Sequence, residues 1–136
     1  MNQTAVLNDV MTIREMCDAF GVTPRTLRFY ESKELLFPIR DGQKRLFTRR
    51  DRGRLKLILR GKRFGFALED IRQLLDLYGK GDNQQIQLIR TYEVATERLA
   101  QMQKERDELN EAIEELKLQL AWGEEQLAAF QTAAAE

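Results

Sequence analysis

Residues 12–31 read TIREMCDAFGVTPRTLRFYE, and their pattern indicates two short helices. Its apolar side chains recur at intervals of three and four residues, at Ile13, Met16, Cys17 and Phe20. Such spacing predicts a two-turn amphipathic helix that Gly21 ends. Thr23 is a suitable N-cap and Pro24 suits the first helical position, so a second short helix is predicted to run to about Glu31. The pair is a candidate helix-turn-helix.

The predicted second helix has two different faces. Leu27 and Tyr30 can point inward, while Arg25 and Arg28 lie three residues apart and share an outer face. Two arginines on a helix are commonly only a solvated surface. In a helix-turn-helix, the same face would meet nucleic acid.

A small β-hairpin is predicted directly after these helices. The extended stretches Leu36–Arg40 and Lys44–Phe47 flank the turn pair Asp41-Gly42. Arg40, Lys44 and Arg45 then lie at the tip and flanks of the hairpin. Basic residues on a hairpin beside a helix-turn-helix form a wing, which grips phosphates next to the groove that the helix occupies.

Two further helices are expected before residue 82. Thr48 and Asp51 resemble a capping box that opens a helix ending near Gly65. Its apolar residues Leu55, Ile58 and Leu59 are predicted inside. Its basic residues are predicted outside: Arg49, Arg50, Arg52, Arg54, Lys56, Arg60, Lys62 and Arg63. A fourth helix, from about Leu68 to Tyr78, would bury Leu68, Ile71, Leu75 and Tyr78 before Gly79 and Gly81 close it.

A long helix with a heptad seam is predicted in the second half of the chain, which holds no Gly or Pro between Asn83 and Gly123. Seam positions recur at alternating steps of four and three: Leu88, Tyr92, Ala95, Leu99, Met102, Arg106, Leu109, Ile113, Leu116 and Leu120. A helix of roughly 38 residues would extend ~57 Å, which exceeds a small head domain. The seam therefore predicts a dimer.

Charge is divided unevenly along the 136 residues, although 22 basic and 22 acidic side chains cancel overall. Residues 1–65 hold 15 basic and 7 acidic side chains, and residues 66–136 hold the reverse balance. A basic front half favours a nucleic-acid-binding head joined to a solvated acidic element.

Several classes of function are disfavoured by the residue types present. The chain has no His and one Cys, so an enzyme, a metal site and a bound cofactor are not expected. Cys17 is either a small buried hydrophobe or a redox sensor. Lacking a signal peptide or an apolar run of membrane-spanning length, the chain is expected in the cytoplasm.

From about Thr12 to Leu120, the chain resembles the MerR family of bacterial transcriptional regulators. The most specific segments are TPRTLRFYE, ELLFPIR and GKRFGFALEDI. The resemblance implies a mostly α fold, in which a winged helix-turn-helix head precedes a long helix that pairs antiparallel in a homodimer. It also implies binding to a palindrome between two promoter elements, which is distorted so that RNA polymerase can engage.

Carried over by position, the helix Thr23–Glu31 resembles the family's recognition helix. Arg25 and Arg28 would then reach the major groove or its edges, and the Tyr30 hydroxyl would meet phosphate. Gln43-Lys44-Arg45 follows Gly42 where the family commonly has an aromatic residue and then Arg, so the wing arginine corresponds to either Lys44 or Arg45. Ala67 stands where the family often has a Ser or Thr cap.

The resulting site prediction has two parts. DNA contacts are assigned to Thr23, Arg25, Thr26, Arg28, Tyr30, Arg40, Lys44 and Arg45. Dimer contacts are assigned to Leu88, Tyr92, Leu99, Met102, Leu109, Ile113, Leu116 and Leu120.

The predicted organisation is a flexible segment (1–11), a winged helix-turn-helix domain (12–81), a dimerisation helix (82–121) and a short tail (122–136). Gly79–Asn83 would serve as a hinge between head and helix. Trp122, Leu127 and Phe130 would form either a short helix that folds back or the lining of a ligand pocket. With no Cys or His in the tail, soft-metal sensing is not expected, and any small-molecule effector is unidentified.

Two functions from other classes stay open at this point. An excisionase-like architectural protein with the same head would bend DNA without controlling promoter output. A coiled-coil interaction adaptor would show no sequence preference and a weak dependence of affinity on salt.

Overall fold

The computed structural model of the chain describes residues 9–77 and 84–135. In chain order, the elements are β1 (Met11–Thr12), α1 (Ile13–Phe20), α2 (Pro24–Ser32), β2 (Ile39–Asp41), β3 (Lys44–Phe47), α3 (Arg49–Phe64), α4 (Leu68–Leu77) and α5 (Gln84–Ala135). The predicted fold class, a mostly helical chain with a small wing and a long helix, is confirmed.

The two helices of the helix-turn-helix begin at capping threonines. The Thr12 hydroxyl accepts from the Glu15 amide at 3.2 Å, and the Glu15 carboxylate accepts from the Thr12 amide at 3.0 Å. This capping box holds the pKa of Glu15 below its usual range. Gly21 ends α1 with φ of 65°, a left-handed conformation that favours glycine. Thr23 caps α2 as predicted, since its hydroxyl accepts from the Thr26 amide.

The hydrophobic core of the head joins α1, α2, β3, α3 and α4. Its buried members are Met16, Leu27, Tyr30, Leu35, Leu36, Phe47, Leu55, Ile58, Ile71 and Leu75. Leu27 and Tyr30 point inward as predicted, so α2 is fixed along one face and leaves the other open. Cys17 packs at the edge of this core, and burial raises the pKa of its thiol, which is opposite to what a reactive thiolate requires.

The wing is a three-stranded sheet in the order β1-β3-β2, not the predicted two-stranded hairpin. Met11 pairs with Phe47, so the predicted flexible segment is wrong at Met11, while residues 1–8 lie outside the described part. The hairpin turn is Gly42-Gln43, one residue later than predicted, with Gly42 at φ of 63°. Its first strand begins at Ile39 because Leu36 is buried in the core and Pro38 has no amide hydrogen to donate.

Two arginines hold the loop between α2 and β2 in place through hydrogen bonds. The Arg54 guanidinium donates to the Leu35 carbonyl at 2.7 Å and stacks on the Phe37 ring at 5.2 Å. Arg72 of α4 donates to the Lys33 carbonyl at 2.5 Å. Burial lowers the pKa of Arg54. The prediction that Arg54 belongs to an outer basic face is therefore wrong, because a loop carbonyl needs its hydrogen bond.

Arg52 departs from the same prediction. Its guanidinium contacts the Asp9 carboxylate at 2.8 Å and lies close to two backbone carbonyl oxygens. It therefore connects α3 to the segment before β1 instead of facing solvent.

Asp51 connects the start of α3 to the same loop. Only 2% of this residue is exposed, and its carboxylate accepts from the Thr48 amide and hydroxyl at 3.2 Å and from the Phe37 amide at 2.9 Å. The capping box predicted from Thr48 and Asp51 is confirmed. Its bond to Phe37 was not predicted, because residue 37 is distant in sequence.

α5 has 52 residues, so it is longer than predicted and would extend about 78 Å. It continues through residues 122–135, so the predicted fold-back of Trp122, Leu127 and Phe130 is wrong. Gly123 lowers helix stability by only about 1 kcal/mol, and the Ala, Glu and Gln residues around it are good helix formers.

By its internal contacts, the chain divides into the units Met1–Val94 and Ala95–Glu136. The predicted hinge at Gly79–Asn83 and the predicted burial of Tyr78 lie outside the described residues. Among the helices in the described ranges, none has the length and apolar character needed to cross a bilayer.

We expect Asp51→Ala to lower the free energy of unfolding by about 2–4 kcal/mol, because it removes a cap and leaves the Phe37 amide without its acceptor. Chemical denaturation followed by circular dichroism measures this change. Asp18→Ala, which alters an exposed carboxylate of α1, serves as the control. Equal stability of the two variants would contradict the anchoring role of Asp51.

Candidate nucleic-acid interface

The outer face of α2 is the starting point of the site. Arg25 and Arg28 are exposed on it, as the spacing predicted, while Leu27 and Tyr30 fix the opposite face in the core. The Thr26 hydroxyl is hydrogen-bonded to the Thr23 hydroxyl at 2.9 Å, so both threonines belong to the cap at the start of this face.

A groove of about 400 Å³ lies on one side of α2. Its polar lining comes from Arg25, Thr26, Tyr30 and Lys62, and its apolar lining from Phe29, Phe66, Leu68 and Ile71. The floor depends on close packing of α3 and α4, because a Cβ added at Gly61 would lie 2.8 Å from Ile71 Cγ1. Two cationic side chains and the Tyr30 hydroxyl therefore lie around one opening.

Tyr30 is the most buried polar residue of this groove, with 4% exposure. Burial raises the pKa of its hydroxyl, so the group stays protonated at neutral pH. A protonated hydroxyl donates a hydrogen bond, which is the form needed to meet a phosphate oxygen. Its predicted phosphate contact stays a prediction.

A second groove, of about 350 Å³, lies between α1, α2 and the wing. It is lined by Thr12, Ile13, Arg28, Gln43, Lys44 and Arg45. Arg28 and Lys44 are exposed, and the start of α1 lies at the same opening. Exposed cations favour anions, so this groove suits a phosphate group as well.

Glu31 connects α2 to the wing. Its carboxylate accepts from Arg45 Nε at 2.5 Å and from Arg40 Nη1 at 3.4 Å. Arg40 and Arg45 are opposed across the β2–β3 pair, where like charges repel, and Glu31 offsets that repulsion. The pairing holds the wing against the end of α2.

The structure thus divides the predicted DNA-contact residues into groups. Arg25, Thr26 and Tyr30 line the first groove, Arg28, Lys44 and Arg45 line the second, and Arg40 pairs with Glu31 beside them. Thr23 acts as the cap of α2. Lys44 is the more exposed of the two candidates for the wing cation, because Arg45 is held by Glu31.

Sequence reasoning missed three of the polar groove residues. Lys62 is one of many basic residues on α3, and nothing in the linear order indicates that it lines the same groove as Arg25. In the sequence, Gln43 stands out only as a neighbour of the predicted turn, and Thr12 only as the first residue of a helix. A T-x-x-E pattern at Thr12 and Glu15 was an available signal for the cap.

The dimer-contact residues predicted on α5 share one property, which is exposure in the single chain. This group comprises Leu88, Tyr92, Leu99, Met102, Leu109, Ile113, Leu116 and Leu120. So many large apolar side chains exposed in heptad order on one helix are typical of a surface that another protein covers.

Comparison with protein-family models gives two matches. Residues 11–78 match the model described as MerR HTH family regulatory protein, and residues 52–118 match the model described as MerR, DNA binding. Together the two matches cover both grooves and most of the predicted seam.

Among curated proteins, the chain is similar to the HTH-type transcriptional regulator ZntR of Escherichia coli (strain K12). The two are 40% identical over 67 residues, which is 48% of each protein. It is also similar to the HTH-type transcriptional regulator HmrR of Rhizobium leguminosarum bv. viciae, with 36% identity over 73 residues, 53% of this chain and 57% of HmrR. The chain spans about half the length of the curated relatives it matches.

Two solved structures share the fold. A MerR family transcriptional regulator from Bacillus cereus superposes with a TM-score of 0.60 and 26% identity, covering 78% of each chain. HiNmlR, a MerR family regulator lacking the sensor domain and bound to promoter DNA, gives a TM-score of 0.59 and 27% identity, covering 74% of this chain and 79% of HiNmlR.

Lys62→Ala should weaken binding to any DNA duplex by about two- to fivefold and lower the slope of log affinity against log salt by about 1, because one phosphate contact is lost. Fluorescence anisotropy over a salt series measures both quantities. Lys56→Ala removes an exposed lysine of the same helix that does not line the groove, so its slope should stay unchanged. Equal slopes for the two variants would contradict the groove assignment.

Proposed function

The chain belongs to the MerR family of helix-turn-helix regulatory proteins, and on that premise we propose that it is a transcriptional regulator that binds promoter DNA sequence-specifically. One observation carries the proposal: two cationic grooves flank the exposed face of α2. The similar protein HiNmlR was solved bound to promoter DNA, which supports the same kind of partner here.

In this proposal, α2 enters the major groove. Its exposed Arg25 and Arg28 are the side chains able to reach base edges, and arginine reads guanine by two parallel hydrogen bonds. The grooves on either side bind the phosphates of the two flanking strands. Lys62 and Tyr30 serve one strand, and Lys44 with Arg45 serves the other.

The active form in this proposal is a homodimer on a palindromic operator. Two identical heads related by a twofold axis read two inverted half-sites, so the symmetry of the protein sets that of the operator. The exposed apolar stripe of α5 supports a second copy as the partner, because each copy supplies the matching surface. Residues 12–81 are the DNA-binding head in this proposal, and residues 82–121 are the dimerisation helix.

The dimer activates by distorting its operator, so that RNA polymerase can use a promoter with unfavourable spacing. The rigid helix pair fixes the separation of the heads, and binding both half-sites then bends the DNA between them. Smooth bending of a site of this size costs on the order of 1–6 kcal/mol, which contacts to phosphates at two wings offset. A small-molecule effector would act by changing the angle between the heads.

A purely architectural DNA-bending role is the alternative that shares the same head. It predicts DNA binding and bending with no effect on promoter output. A coiled-coil adaptor, by contrast, predicts no sequence preference in DNA binding. Footprinting on the DNA upstream of the protein's own gene tests these alternatives, because a protected palindrome within a promoter spacer favours the regulator.

We expect Arg25→Ala to reduce discrimination between the operator and random duplex by about 1–3 kcal/mol, since the loss includes a base contact. Lys44→Ala should weaken both duplexes alike, because phosphates carry no sequence information directly. Competition binding against operator and random duplexes gives the ratio for each variant. An unchanged ratio in Arg25→Ala would remove this residue from sequence reading.

We also expect promoter spacing to control the effect on transcription. Shortening the promoter spacer by one or two base pairs should make transcription less dependent on the protein, or turn the protein into a repressor. The reason is that distortion of the operator no longer corrects the distance between the two promoter elements. In vitro transcription on a spacer series tests this. The same fold-activation at every spacer length would refute distortion and favour a recruitment or architectural role.

A further inference from the structure

Glu31 is an acidic residue within the proposed DNA-binding surface, and two effects disfavour a carboxylate there. It lies in the last turn of α2, where the free carbonyl groups of a helix carry partial negative charge. The nearby second groove suits a phosphate group, which a carboxylate repels. A carboxylate at this position therefore needs a compensating contact, and the wing provides it.

The Glu31 carboxylate uses its two oxygens for two different arginines of the wing. Oε2 accepts from Arg45 Nε at 2.5 Å, and Oε1 lies 3.4 Å from Arg40 Nη1. The side chain of Arg45 is 24% exposed, against 49% for Arg40, so Arg45 is the more firmly held of the two. Arg45 also lines the second groove, beside Arg28 and Lys44.

Contact through Nε leaves the other edge of the Arg45 guanidinium available. The two Nη groups carry four further N–H donors. Among the residues that the structure describes, Glu31 is the hydrogen-bond partner of the Arg45 side chain, and it uses Nε. A phosphate accepts two parallel hydrogen bonds from a guanidinium edge. Arg45 can therefore bind Glu31 through one edge and a phosphate through the other at the same time.

We propose that Glu31 is a positioning residue, which orients the Arg45 guanidinium for a phosphate in the second groove and so strengthens DNA binding despite its own negative charge. The inference rests on the proposed function, because it requires duplex DNA as the partner. An unheld arginine loses side-chain entropy when DNA immobilises it, whereas an arginine held by a carboxylate has already lost that entropy on folding.

The sizes of two opposing effects decide the sign. Repulsion between Glu31 and a phosphate acts near exposed surface, where water and salt limit it to about twofold in affinity. Prior ordering of one long side chain raises affinity by about twofold to tenfold. Without Glu31, Arg45 would also be repelled by Arg40, its cross-strand neighbour, and would leave its position more readily. Positioning therefore outweighs repulsion.

Two variants of the full chain that each remove one negative charge test the sign. Glu31→Gln replaces one acceptor oxygen by a donor group, so the side chain can no longer accept from both arginines. We expect it to lower affinity for the operator duplex found by footprinting about threefold to tenfold. Asp41→Asn, at an exposed carboxylate of β2, should instead raise affinity by up to about twofold. Fluorescence anisotropy measures both.

Phosphate ethylation interference separates positioning of Arg45 from a general loosening of the wing. Arg45→Ala and Lys44→Ala identify the phosphate that each residue contacts, because ethylating a phosphate no longer matters once its partner is gone. Glu31→Gln should lose interference at the Arg45 phosphate and keep it at the Lys44 phosphate. Interference that depends on Lys62 should also remain, which shows that the head of the variant is folded.

The conservative variant Arg45→Lys gives a second test. An ammonium group keeps the charge but lacks a second edge, so Glu31 cannot orient it for a phosphate. On this background, Glu31→Gln should raise affinity, as Asp41→Asn does, instead of lowering it. An equal fall in affinity on both backgrounds would show that Glu31 does not act through Arg45.

The outcomes separate this inference from the proposed function. Weaker binding by Glu31→Gln, with interference lost at the Arg45 phosphate alone, supports the positioning role. Stronger binding, unchanged interference at that phosphate, or no phosphate that depends on Arg45 overturns it and leaves the regulator standing. Loss at both wing phosphates also overturns it, since Glu31 would then hold the wing as a whole. A wild-type chain without sequence preference overturns the proposed function itself.

Discussion

The buried carboxylate of Asp51 is the interaction on which the geometry of the head depends. It accepts hydrogen bonds from Thr48 at the start of α3 and from the Phe37 amide in the loop that leaves α2. A buried anion is stable only when several donors satisfy it, so this carboxylate requires the loop and α3 to hold fixed positions. The wing is built between these two anchored points, and its orientation follows.

Basic residues of the head serve two purposes that composition does not separate. One group stabilises the fold: Arg54 and Arg72 donate to loop carbonyls, Arg52 contacts Asp9, and the wing arginines pair with Glu31. A second group is exposed around α2 and includes Arg25, Arg28, Lys44 and Lys62. The first group positions the second, because loops and wing are fixed by arginine hydrogen bonds before any nucleic acid is present.

The long helix α5 presents a different physical problem from that of the head. Burial of the core residues stabilises the head within one chain, whereas the large apolar residues of the α5 seam are exposed. Most helical stability in proteins comes from packing of an apolar face. The proposed second copy supplies that packing and, at the same time, fixes the distance between two DNA-binding heads.

Some features of this protein depend only on neighbours within one turn or one strand. Helix starts at Thr23 and Thr48, the end at Gly21, the inward face of α2 and the heptad seam are all local patterns, so they could be predicted. Which distant residues meet depends on the tertiary structure: Met11 contacts Phe47, Asp51 contacts Phe37, Glu31 contacts Arg45, and Lys62 lines the same groove as Arg25. Those contacts follow from how helices and strands pack in three dimensions, and hydrophobic periodicity carries no information about the partner across the core.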